Sequence, residues 1–366
     1  MKLIADAGLW STGGQLGPTP LVAVLEVSGA VLSWTVDDPA GVATIAFTDL
    51  ARADWLWRIV GESGHSAVAS ALDGRAPDEA HTVELTDVGV QPGAVDPLRR
   101  LAVGHWLRRW WPASQRDGIA ALDGALLDAE LALLTARAQD FFTDDTFDSD
   151  VESLLRIHVA ALNDHVRDGD PRVVELVRAC GELAEDLGIA FDAVHEPAAT
   201  GRRDDYALAA GSAGGRTSGA VATGTASINW SAVPPGIFDA AENTVEWRIE
   251  AGDPVKGVVR AELSGMGSAA GIAVHLRSGT VSGVGILDAD GAATFQLADE
   301  HHRAITETIA WDHDWRTTVV SIGVELKESV ESADIRQRIR TFARSRLNQP
   351  ASDAYLAEIL AAESDY

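Results

Sequence analysis

Apolar and polar positions along the chain change period several times, and each change predicts a different element. Leu21 to Val27 is an apolar run with β-branched members. Ser28-Gly29 supplies a two-residue turn and Ala30 to Val36 returns, which predicts a β-hairpin. After the punctuation at Pro39 and Gly41, Val42 to Thr48 reads as a third strand. Leu50 to Val60, with Trp55 and Trp57, reads as helical, and His81 to Val90 as another strand. Residues 1–94 are therefore expected to form an α+β region built on a β-meander.

The period becomes helical from residue 95. Asp96-Pro97 places a capping residue before proline at the first helical position, and Leu98, Leu101, Ala102 and His105 keep helical spacing until Pro112. A second helix is expected over 122–142. A third should open at Ser149-x-x-Glu152, a capping-box pattern, with Val151, Leu155, His158, Val159, Leu162 and Val166 on its apolar face. A fourth starts at Asp170-Pro171 and carries Val173, Val177, Cys180, Ala184 and Leu187, with Gly188 at its C-terminal cap. Residues 199–226 lose all periodicity and are rich in Gly, Ala, Ser and Thr, as a linker would be. From 227 to 326 short alternating strands recur, among them Val245, Trp247, Ile249 and Val320, Ile322, Val324, Leu326, with a turn at Asp288-Ala289-Asp290-Gly291. After Ser329, Ile335, Ile339, Phe342 and Leu347 stripe one helix, Pro350 ends it, and Tyr355, Leu356, Ile359 and Leu360 stripe a second.

These segments predict an α+β multidomain protein: an N-terminal β-meander plus helical bundle, then an immunoglobulin-like β-sandwich with a C-terminal helical hairpin. The expected divisions are 1–94, 95–198 packed with it as one domain, the linker 199–226, the sandwich 227–328 and the hairpin 329–366.

Composition narrows the partners. The 29 basic against 55 acidic side chains give a net charge of −26, which repels nucleic acid and anionic membranes. No apolar run is long enough to span a bilayer, and the N-terminus lacks the basic start and unbroken apolar stretch of a secretory signal. With the single cysteine, Cys180, this predicts a cytoplasmic protein without disulfides or a multi-cysteine metal site.

Candidate chemistry is sparse. Gly61-Glu62-Ser63-Gly64-His65 approaches a nucleophile elbow, but its second glycine comes one residue early. Cys180 lies on an apolar helical stripe and reads as a core residue. Asp312, His313 and Asp314, between Trp311 and Trp315, have the donor types for a divalent ion, but a solvated loop between two core tryptophans is the simpler account and no metal is expected. The acidic run 144–152 lacks the glycine and spacing of a calcium loop, and no phosphate-binding glycine motif occurs. Arg336, Arg338, Arg340, Arg344 and Arg346 share one helix. Residues 117–200, with 19 acids against five arginines, are the expected internal counterpart, and contact with nucleic acid is the competing use.

The remaining signal is tryptophan. Trp106 and Trp110 share a helix face, Trp111 follows, and Arg109 lies beside them; Trp and Arg are the types enriched where proteins bind one another, although a packed junction would use them as well. The sequence thus points to a non-catalytic protein-protein interaction or adaptor protein. Its interaction residues would be Trp106, Arg109, Trp110 and Trp111, its partner another protein or itself, with no cofactor, no catalytic residue and no membrane. The alternatives are a hydrolase or metal-dependent enzyme with a site assembled from distant residues, and a regulator touching nucleic acid through the C-terminal arginine helix.

Overall fold

The computed structural model describes the chain except residues 7, 15, 39, 76, 78–80, 143–147, 190, 192–219, 266, 327–330 and 365–366. In chain order the elements begin with β1 (Lys2–Asp6), β2 (Leu9–Ser11), β3 (Val22–Val27), β4 (Ala30–Thr35), β5 (Thr44–Phe47), α1 (Trp57–Leu72) and β6 (Thr82–Glu84). Five helices follow: α2 (Asp96–Trp110), α3 (Gly124–Phe142), α4 (Asp148–Arg156), α5 (Val159–Asp168) and α6 (Pro171–Asp186). Then come β7 (Ala220–Ala226), β8 (Val245–Glu250), β9 (Lys256–Ala261), β10 (Ala273–Ser278), β11 (Val281–Ile286), β12 (Ala292–Gln296), α7 (Glu307–Asp312), β13 (Val319–Ile322), α8 (Ala333–Asn348) and α9 (Leu356–Ser364). They fall into two compact units. One comprises Met1–Trp111, Leu122–Ala193 and Val330–Tyr366; the other comprises Pro112–Ala121 and Val194–Ser329.

The first unit is built on an antiparallel sheet in the order β3-β4-β5-β2-β1-β6. Its β3–β4 hairpin closes at Val27↔Ala30, and Gly29 takes the positive φ that the turn needs (+74°). The expected strand at 81–90 shrinks to β6, and the expected helix at 50–60 begins as two 3-10 turns before α1. The first nineteen residues supply β1 and β2, which no long alternation predicts; Leu3, Ala5 and Trp10 anchor them in the core. The helix expected from 149 onward divides at Ile157-His158 into α4 and α5. It starts at Asp148, so Ser149 lies inside the first turn and not at the cap.

The C-terminal hairpin belongs to this unit, because its polar groups are spent on α2 and α3. Tyr355 donates to the Arg100 carbonyl oxygen at 2.5 Å, and the Leu356 amide donates to Glu130 at 2.8 Å. Glu130 in turn pairs with Arg100. Glu358, fully buried, holds Arg346 through both carboxylate oxygens and accepts from the Tyr355 amide at 2.9 Å. Gly104 on α2 has no side chain because Tyr355 and Leu131 fill the space a Cβ would take.

Among the described residues the second unit has two antiparallel sheets, ordered β12-β9-β8-β7 and β11-β10-β13. The seven residues 220–226 of the expected linker form β7; residues 199–219 lie outside the described residues. The Asp288–Gly291 turn is present, with Asp288 accepting from the amides of Asp290 and Ala292. It connects β11 in one sheet to β12 in the other and is not a hairpin within one sheet. The order departs from the immunoglobulin arrangement, since β7, β8 and β9 are sequence neighbours that pair side by side. The expected bundle region 95–198 also loses a piece to this unit: Pro112–Ala121 is held here by Asp239, only 2% exposed. The Asp239 carboxylate accepts from Ser114 Oγ and from the amides of Gln115, Arg116 and Ala241.

Candidate functional site

The tryptophan and arginine cluster of α2 divides between core and surface. Trp106 is 3% exposed; its indole donates to the Pro20 carbonyl oxygen at 2.5 Å, and its ring meets Phe342 edge-on with centroids 5.6 Å apart. It therefore fills the junction of the sheet region, α2 and α8, and presents no surface to a partner. Trp111 is buried as well. Trp110 is half-buried under Arg109, whose guanidinium lies 4.3 Å from the ring centroid. Burial lowers the Arg109 pKa, opposed by Glu331.

The other singled-out residues are committed to structure. His313 lies 3.1 Å from Ser278 Oγ and edge-on to the buried Trp315. Asp314 caps the following turn and pairs with Arg316, which holds its carboxyl down to about 2. Asp312 ends α7. Among the described residues no group of three His, Cys, Asp or Glu stands where it could hold a metal ion. Burial pushes the Cys180 thiol up to about 12 and its Sγ donates to the Ala129 carbonyl oxygen at 3.4 Å, so it is not a nucleophile. Gly61 to His65 lie within α1, where Gly61 (φ +77°) kinks the helix, instead of at a strand-to-helix elbow. Arg338 pairs with Asp37, and Arg346 with Glu358 and Asp353, so these partners come from outside the 117–200 segment that the charge count suggested.

Two further features carry chemistry-bearing groups. Asp128 on α3, buried, accepts from both Arg108 on α2 and His158 before α5, the imidazole nitrogen 3.0 Å away. A carboxylate orienting a histidine is half of a general-base arrangement, yet among the described residues His158 has no hydroxyl or thiol within hydrogen-bond reach. The second feature is an open groove of about 840 Å³ in the sheet unit, lined by Gln115, Arg116, Arg260, Glu262, Asp288 and Asp290. Ligand pockets are mostly apolar with few polar groups. This one is polar, and Arg116 is already spent on Glu262 and on the carbonyl oxygens of Glu242 and Asn243.

The outer face of the β11-β10-β13 sheet is different in kind. Strand alternation places Ser282, Val284 and Ile286 of β11 outward, beside Ala273, His275 and Arg277 of β10 and Val319 and Ser321 of β13. Val284, Ile286 and Val319 are 62%, 67% and 58% exposed. The outward positions of the neighbouring sheet are mostly polar, with Glu246 opposite Arg260 and Glu250 opposite Lys256, and the outward Val258 is half-buried between Arg248 and Thr294. The inversion on β11 has a packing cause. Its inward positions include Gly283 and Gly285, and a Cβ on Gly283 would come within 2.7 Å of both Leu297 and Phe295. Phe295 on β12 and Leu297 just after it fill this space, so β11 presents glycine inward at 283 and 285; Val281 stays buried, and Val284 and Ile286 are left in solvent. Sequence reading missed this face; the signal available was two glycines at alternate positions in a strand whose other positions are aliphatic. No family model, curated protein or solved structure matches this chain.

Proposed function

We propose that the protein is a non-catalytic binding protein whose three-stranded sheet receives another protein chain on its outer face. The observation that carries this reading is the exposure of three aliphatic side chains on one sheet face where polar residues are the rule: Val284 and Ile286 side by side on β11, and Val319 across β10 on β13, each more than half exposed. Arg277 and His275 sit between them and give the face the mixture of apolar contact and oriented charge that binding surfaces use. The sheet unit is read accordingly as a β-sandwich-type recognition module with its own strand connectivity. The Arg109–Trp110 stack on α2 is a second, smaller contact of the hot-spot type.

The test is site-specific photo-crosslinking in the native cell. A photoreactive residue at position 284 is expected to form adducts with another polypeptide. The same residue at position 294, on the polar outer face of the other sheet, should form none. Absence of adducts at 284, or equal adducts at both positions, refutes the reading.

A further inference from the structure

The dimensions and charge of this face specify what kind of chain fits it. β10 and β11 each run six residues and β13 four. At about 3.4 Å per residue and about 4.8 Å between strands, the face measures roughly 20 Å by 14 Å, or about 300 Å². A stable homodimer or a globular partner needs about 800 Å² on each side, so the face is too small to hold either alone. A single α-helix, about 10–12 Å across and about 13 residues long for 20 Å, matches both dimensions. Helix on sheet is also the layer arrangement by which an apolar sheet face is ordinarily covered.

Charge sets the second requirement. Arg277 is exposed at the centre of the lower edge of the face, flanked by Ser282 on β11 and Val319 on β13. Among the described residues its guanidinium has no ion-pair or hydrogen-bond partner. The neighbouring His275 lies 3.9 Å from Glu325, so an acid already stands by the imidazole. We infer that the face docks one amphipathic helix of a partner protein, seated by its apolar stripe on Val284, Ile286 and Val319 and carrying a carboxylate that meets Arg277. This rests on the partner-binding reading above and adds the shape and charge of the occupant.

The full chain is titrated at physiological ionic strength with three fluorescent peptides of about 14 residues. One is a helix with leucines at i, i+3, i+4 and i+7 and a flanking glutamate, one has lysine in place of that glutamate, and one has a strictly alternating extended pattern. The glutamate helix is expected to bind at least about tenfold more tightly than the lysine helix, the increment one charge-assisted contact supplies. Because the whole chain carries −26, a preference for the acidic peptide cannot come from its overall field. Arg277→Glu should reverse the order, and Val284→Asp should abolish binding of both helices while leaving the thermal unfolding curve in place. Preferential binding of the extended peptide, equal binding of the two helices, or no binding of any peptide overturns the inference. So does a dimer of this chain that Val284→Asp dissociates. In each of these cases an adduct at position 284 still upholds the partner-binding reading, and its absence removes both.

Discussion

At the scale of single residues, burial separates side chains that look alike in the sequence. Trp106 and Trp110 stand one helical turn apart, yet one is sealed beneath Pro20 and Phe342 while the other lies half-buried under Arg109. Trp106→Ala should therefore cost about 3–5 kcal/mol, the range for a large aromatic removed from a core, and Trp110→Ala about 1 kcal/mol or less. Urea unfolding of the two variants checks the difference. Glu358 offers a second case. Removing it leaves the Arg346 guanidinium buried without its partner, so Glu358→Ala should destabilise by about 3–5 kcal/mol, whereas replacing both residues with apolar ones of similar volume should recover most of that loss. His105 supplies a pH dependence. Burial, then Arg108, lowers its pKa below 6.5, so the unfolded chain binds the extra proton more readily than the folded one. Stability should rise with pH between the folded-state value and 6.5 and fall as pH drops through that window. Unfolding midpoints measured across this range should lose that slope in His105→Gln.

At the scale of elements, local pattern succeeds where one face of an element meets one neighbour. The β3–β4 hairpin and α6, with Asp170 accepting from the Arg172 amide, appear where periodicity and capping put them. α2 keeps its proline start but begins at Asp96, with Val95 at the N-cap and no side-chain cap, so Asp96 is not the capping residue that the sequence predicts. Pattern fails where a neighbour supplies what the element lacks. β1 and β2 are short and follow no long alternation, and they become strands because sheet partners complete their hydrogen bonds on both sides. The segment Pro112–Ala121 is a different failure. Its residues read as a stop after α2, but Asp239, distant in sequence, gathers its amides and the Ser114 hydroxyl onto one buried carboxylate. Asp239→Ala should destabilise the sheet unit by about 2–4 kcal/mol, since it leaves buried donors without an acceptor. Hydrogen exchange at the Gln115 and Arg116 amides should accelerate well beyond that at β8. Unchanged protection at those amides would show that the segment is held by something else.

At the scale of the whole molecule, the exposed aliphatic face and the sheet core are two consequences of one packing choice. Phe295 and Leu297 take the space beneath β11, which forces Gly283 and Gly285 inward and turns Val284 and Ile286 outward. Substituting the outward pair should thus be nearly free for folding. Val284→Asp combined with Ile286→Asp is expected to shift stability by less than about 0.5 kcal/mol each, as for other surface positions, and to abolish the crosslink at the face when the photoreactive group is placed at 319. Gly285→Ala works in the opposite direction: it should destabilise the unit by about 1–3 kcal/mol through overpacking against Phe295. Comparing the unfolding curves of these two variants separates a binding surface from a folding requirement.

The amino-acid sequence by itself determined the alternation of strand and helical segments, several of their boundaries, the strong negative charge and the absence of an uninterrupted catalytic or nucleotide-binding motif, because these depend on neighbours within a few positions and on composition. Tertiary structure alone decided which tryptophans are core, which arginines are spent on internal acids, that the C-terminal helices join α2 and α3, and that residues 112–121 join the sheets. Most of those outcomes depend on groups far apart along the chain, such as Arg100 with Tyr355 and Ser114 with Asp239. The candidate binding face belongs to the second class. A strand shows which residues alternate, but the volume available on each side decides which set of them faces water.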